Sequence, residues 1–159
     1  MKAKEGILEM LNGILTSELT KINQYFIHAE MCRNWGYERL YKKTRAESIR
    51  EMKHSEKLVE HILYLEGLPN VQKLGDVCVG ETVPEQFQLD LSKERDAAAV
   101  LNGAIARCVS VGDNNTRHKL EELLEEAEEQ IDWLETQIET ISQVGLQTYL
   151  AEQIKEKDS

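Results

Sequence analysis

The sequence predicts an all-α protein: a four-helix bundle with a long crossover between its second and third helices and a short fifth helix at the C-terminal end. Three observations predict it. Only two prolines and nine glycines interrupt 159 residues rich in Glu, Leu, Lys and Ala, a composition of helix formers. Apolar residues recur at steps of three and four along four long stretches, the pattern of helices packed along one face. One stretch, residues 70–82, has no such period, and a connection of that length lets a bundle join two parallel neighbours. The chain length suits one domain, 1–159, with a core of its own.

The first helix is expected over residues 5–33, with a seam of Leu11, Leu15, Glu18, Ile22, Tyr25 and Ala29. Glu18 is a carboxylate where the pattern asks for an apolar residue. Asn34-Trp35-Gly36 breaks the helix. The second runs from Glu38 to Glu66, with Leu40, Thr44, Glu47, Glu51, His54, Leu58, Ile62 and Leu65 on its seam. Ile49, Met52, Val59 and Leu63 form a second apolar stripe, so this helix should be packed on two sides, the outer one by another subunit. Gly67-Leu68-Pro69-Asn70 ends it.

Thr82 and Glu85 have capping-box spacing and Pro84 suits a first turn, so the third helix covers about residues 84–111. Its seam is Phe87, Leu91, Glu94, Ala98, Leu101, Ile105 and Cys108, with Glu94 again a lone acid. After a break at Gly112-Asp113-Asn114-Asn115 the fourth helix covers about 116–143. Its seam is Leu120, Leu124, Ala127, Ile131, Leu134, Ile138 and Ile141. Gly145 interrupts it, and a short helix follows from Gln147 to about Lys155.

A net charge of −10 argues against nucleic-acid binding, which needs a basic surface. No apolar run approaches a membrane span, and no apolar signal region follows the charged N-terminus. Cys32, Cys78 and Cys108 are odd in number and widely spaced, with no Cys-x-x-Cys. They read as free thiols of a reducing cytoplasm.

Three of the four seams thus carry an acid at one level: Glu18, Glu51 and Glu94, with His54 one turn from Glu51. Burying such groups uncompensated costs several kcal/mol per charge. No Lys or Arg falls on the seams nearby, so a metal ion is the economical compensation. Oxygen ligands with one imidazole suit iron, manganese or zinc. Di-iron carboxylate bundles use one Glu from each of two helices and a Glu-x-x-His from each of the other two. Glu18 and Glu94 fit the single positions and Glu51/His54 fits one pair. The second pair belongs at Ala127 and Gln130, which are poor donors. Four of six ligands predict a mononuclear or weakly occupied site. Glu126, Glu128 and Glu129 lie about 100° or more off the seam. His28, His61 and His118 lack this support and read as surface or packing residues. Met52 could be interface packing alone, although a thioether can also ligate haem iron.

The chain resembles the bacterioferritins. The resemblance spans essentially the whole sequence and rests on Leu19-Thr20-Lys21-Ile22-Asn23-Gln24-Tyr25-Phe26, Asn34-Trp35-Gly36-Tyr37, Glu51-Met52-Lys53-His54, Leu65-Glu66-Gly67-Leu68-Pro69-Asn70, Ile131-Asp132-Trp133-Leu134-Glu135-Thr136 and Gly145-Leu146-Gln147-Thr148-Tyr149-Leu150. It implies a ferritin-like bundle, a hollow cage of twenty-four subunits, oxidation of Fe(II) at an intrasubunit di-iron site, and mineral storage in the cavity. It also implies haem b held between two subunits by Met52 from each, and a ferredoxin-type electron donor for iron release. Glu18, Glu51, His54 and Glu94 match the family's ferroxidase ligands; Ala127 and Gln130 do not. Ala46 and Arg50 stand where the family often has acidic or His residues on the inner surface, which puts an internal iron-feeding site in doubt.

The expectation is therefore a cytoplasmic, haem-bearing storage subunit with a degraded ferroxidase centre. It would serve cage assembly and haem-mediated electron transfer, alone or beside a ferroxidase-competent subunit. The alternative is a cage that still oxidises iron with four ligands plus water or a neighbouring Glu. A metal-free structural bundle is the third reading, and a DNA-binding relative is disfavoured by the acidity.

Overall fold

Four long stretches of helix formers become four long helices. The structure, a computed structural model, describes residues 1–155. Its elements are α1 (Ile7–Trp35), α2 (Glu38–Tyr64), α3 (Val83–Val111), α4 (Asn114–Val144) and α5 (Leu146–Gln153). No helix among the described residues is long and apolar enough to cross a membrane.

The ends have identifiable causes. In α1 the amide of Gly36 donates to the Arg33 carbonyl and that of Tyr37 to Cys32, a Schellman closure around a left-handed glycine. The same closure ends α2, but the left-handed residue there is Glu66 (φ 62°) and not the expected Gly67. At Gly67 a Cβ would fall 2.4 Å from a Leu8 methyl, so a side chain there would have to displace Leu8. Thr82 caps α3 by accepting from the Glu85 amide, as its spacing predicts. Asp113 caps α4 through the Thr116 amide, which is why that helix starts two residues before the expected boundary.

The irregular connection after α2 is tied down by a row of α1 side chains. Asn12 accepts from the Asn70 amide, Thr20 from Gly75, Gln24 from Cys78 and His28 from Gly80. These partners advance together along α1, so the crossover runs the length of the bundle and delivers α3 parallel to α2. Each side chain also gives a backbone donor of this largely exposed connection a partner, and the buried Gly80 amide depends on His28 for one. His28 is fully buried, with Nδ1 2.9 Å from Asp90 and Nε2 accepting from Gly80. The reading of His28 and His61 as packing residues agrees with their burial; His118 is exposed.

The apolar core comes in two blocks. One contains Leu11, Leu15, Leu58, Ile62, Leu101 and Leu120. The other contains Cys32, Leu40, Phe87, Leu91, Leu134 and Tyr149, with Phe87 edge-on to both Trp133 and Tyr149. Between them lies a polar layer. The three cysteines are free, and burial pushes the Cys32 thiol up to about 12.

Candidate metal centre

The polar layer is built from the seam acids. Glu18, Glu51, His54 and Glu94 are all buried, at 6% exposure or less. Ligand atoms of Glu18, Glu51 and His54 lie within 4.8 Å of one another, and so do those of Glu47, Glu51 and Glu94. His54 presents Nδ1 to this cluster, 3.2 Å from Glu51 and 3.6 Å from Glu18. Its Nε2 meets Glu126 of α4. The sequence thus brings its four expected residues together, and Glu47 joins them.

The expectation that no basic residue lies nearby is overturned. Lys21 is buried at the centre of the cluster. Its Nζ stands 3.2 Å from Glu18, 3.3 Å from Glu51 and 3.4 Å from Glu94. The cause is local helix geometry. Steps of three and four from Glu18 permit either Lys21 or Ile22 on the seam, and the apolar choice looked natural. In the fold Lys21 is buried and Ile22 only half-buried. A four-carbon stem lies along the helix while the ammonium reaches the acids. The same one-residue rotation puts Ala97, Ala104, Leu123 and Gln130 inward in place of Ala98, Ile105, Leu124 and Ile131.

Arg50 neutralises the rim. Its guanidinium binds Glu47 at 3.0 Å, Glu129 at 3.1 Å and the Glu126 carbonyl at 3.1 Å. It ties α2 to α4. On the deep side Tyr25 donates to Glu94 at 2.7 Å, and the Gln130 amide approaches the Tyr25 hydroxyl at 3.4 Å.

Charge balance follows from these contacts. Burial raises the Glu18 pKa, but Lys21 and His54 outweigh it and hold the carboxyl below its ordinary range. Burial likewise opposes the Lys21 charge, yet Glu18 and Glu94 outweigh it and raise its pKa, so the ammonium is held charged. Glu94 moves the other way. Burial dominates there, and Glu18 and Glu47 add like-charge repulsion that Lys21 and the Tyr25 hydroxyl do not overcome, so its carboxyl is raised. One ammonium shared among three carboxylates leaves a deficit, and the deepest acid carries it.

The donor set differs from a two-metal pattern in two respects. The α4 wall presents Ala127, which has no donor, and Gln130, whose buried Oε1 has no partner. A protonated lysine holds one oxygen of each of three carboxylates. One buried oxygen, Glu18 Oε2, is left without a hydrogen bond beside His54. These residues do not fit a bridged metal pair.

On the opposite side of the same α2 segment, Met52 is 56% exposed and Leu63 57%, with Ile49 and Val59 half-buried. The outer stripe is real, and its thioether is turned away from the subunit's own core. A thioether presented on an apolar face is a donor that would suit haem iron, and Met52 is the residue that would hold it.

Fold and polar layer together define the class, and the comparisons with known proteins agree. Residues 8–144 match the ferritin family, described as a ferritin-like domain, so the chain belongs to the ferritin-like bundles. Its relatives narrow this. It is 43% identical to the bacterioferritin of Mycobacterium bovis over 152 residues, covering 96% of each chain. It is 40% identical to that of Rhodobacter capsulatus and 39% identical to that of Brucella melitensis, each over 149 residues, or 94% of this chain and 92% of the relative. The chain is a member of the bacterioferritin family.

Proposed function

We propose that the chain is a subunit of a cytoplasmic iron-storage cage of twenty-four subunits. It holds haem b between neighbouring copies through Met52, and its di-iron centre is too incomplete for rapid oxidation of Fe(II). The observation that carries this reading is the contrast within one turn of α2. Met52 points out, exposed and apolar-flanked, while Glu51 and His54 face an α4 wall of Ala127 and Gln130.

Haem held by paired methionines would supply one-electron transfer across the shell. The chain's own residues provide the thioether and the apolar surroundings, Ile49, Val59 and Leu63, that exclude water from it. Iron is the cargo, and oxidation would fall to a ferroxidase-competent subunit of the same cage. A ferredoxin-type donor would feed electrons to the haem when iron is released. The alternative, oxidation by the partial site with help from a neighbouring Glu, loses support from Glu126. That carboxylate meets Nε2 of His54, the nitrogen facing away from Glu18 and Glu51.

The test is the visible spectrum of the assembled protein as purified and after haemin addition. A haem absorbance that Met52→Leu abolishes, with the assembly unchanged by size-exclusion chromatography, is expected. Haem uptake that survives the substitution would overturn the assignment of Met52.

A further inference from the structure

We propose that the Lys21 ammonium is a tethered cation standing in the place of a metal ion among Glu18, Glu51 and Glu94, and that removing it turns these carboxylates and His54 into a mononuclear site for a divalent transition-metal ion. The inference deepens the incomplete-centre part of the proposed function and rests on it.

The geometry carries the first half. Lys21 Nζ lies at nearly equal distances, 3.2, 3.3 and 3.4 Å, from one oxygen of each of three carboxylates on three different helices. That is the central, multiply bridged position a metal ion takes in a carboxylate bundle. The stem enters from α1, one turn beyond Glu18. The cavity of about 490 Å³ beside His54 and Glu126 is not lined by Lys21. A metal ion arriving at the cluster would meet a like charge in a buried, low-dielectric site, with one oxygen of each acid already engaged.

The second half rests on what Lys21 leaves free. Glu18 Oε2 is buried, lacks a hydrogen-bond partner and lies 3.6 Å from His54 Nδ1. His54 Nδ1 and the Glu18 and Glu51 carboxylates already fall within bidding distance of one ion, inside 4.8 Å of one another. An imidazole with two or three carboxylates is a donor set for zinc, cobalt or ferrous iron. Without the ammonium the three carboxylates lose the cation they share, and a divalent ion is what would restore the balance.

The test uses the assembled protein stripped of metal, titrated with Co(II) and followed by its visible ligand-field absorption. Wild type is expected to show no saturable binding at the cluster. Lys21→Ala should show a saturable band with affinity at least about a hundredfold higher, lost on adding His54→Ala. Lys21→Arg should behave as wild type. Should Lys21→Ala fail to assemble, Lys21→Met/Glu94→Gln keeps the charge balance and retains Glu18, Glu51 and His54, and it should bind Co(II) in the same way. Saturable binding by wild type that Glu18→Ala or His54→Ala removes would overturn the proposal, as would a failure of both lysine-free variants to gain binding. The readout involves neither haem nor iron oxidation. A wild-type cage that binds Co(II) at the cluster yet oxidises iron slowly would sink the role of Lys21 and leave the storage reading standing.

Discussion

Replacing Lys21 with methionine keeps the length of the stem and removes one charge from the middle of the bundle. Glu18, Glu51 and Glu94, each 2% exposed or less, would then face one another with no ammonium between them. Breaking a buried ion pair by deleting one partner costs about 3–5 kcal/mol, because the remaining charge is left uncompensated. In a domain of this size each kcal/mol moves the midpoint by roughly 2–4 °C, so Lys21→Met should lower it by about 6–20 °C. The assay is differential scanning calorimetry of the assembled protein at neutral pH with a chelator present. Two controls fix the cause. Lys21→Met/Glu94→Gln should recover part of the loss, since the excess charge falls. Acidification should also narrow the gap between wild type and variant, because the acids then become neutral. The wild-type contribution has a definite window. The Lys21 pKa is raised in the fold, so the stabilisation is whole below the ordinary lysine value and disappears as pH rises through the elevated one. A Lys21→Met midpoint within about 2 °C of wild type at neutral pH would refute the view that this ammonium holds the layer together.

Other predictions follow from neighbouring contacts. Restoring the α4 ligands by Ala127→Glu/Gln130→His should leave Fe(II) oxidation slow, and adding Lys21→Ala should release a fast phase. A fast phase in the two-site variant alone would show that Lys21 is no obstacle. Glu18 is held low in the fold, so its stabilisation is complete above the ordinary carboxylate value and is lost as pH falls through the depressed one. Glu18→Gln should therefore flatten the acid limb of the stability curve. The Glu94 carboxyl is raised, so Glu94→Gln should act in the opposite sense. Replacing His28 with alanine unpairs the buried Gly80 amide and leaves Asp90 Oδ1 with Gln24 as its remaining partner, at a cost of about 1–3 kcal/mol. Hydrogen exchange should quicken at Gly80 and its crossover neighbours while the α1 core amides stay protected; unchanged protection at Gly80 would count against the clamp.

Much of this architecture was legible because the signals were redundant. Every residue expected on the α2 seam, from Leu40 to Leu65, is buried, since that helix alternates its faces without ambiguity. The absence of ligands at Ala127 and Gln130 could be read from register alone, and both positions do face inward. The central residue was not legible. A step of three or four from Glu18 selects Lys21 or Ile22, and hydrophobicity favours the wrong one. Only the spacing of all four helices shows that three acids converge on one ammonium. The Lys21 choice had a signal, unused: a lysine one turn from a buried glutamate is a ready counter-ion. The end of α2 failed for a smaller reason of the same kind. Gly67 marks the helix end, but the strained left-handed position falls on Glu66, and a side chain at the glycine would have to displace Leu8. Long-range contacts decided both cases, and no local pattern carries them.

The most direct test of the storage reading is aerobic Fe(II) addition to cages assembled from this chain alone, followed by the ferric absorbance. A subunit with Lys21 among its acids and Ala127 and Gln130 on its fourth wall should show only slow oxidation, with no rapid phase whose amplitude scales with subunit concentration. A rapid phase that saturates in proportion to subunits, and that Glu18→Ala or His54→Ala removes, would contradict it.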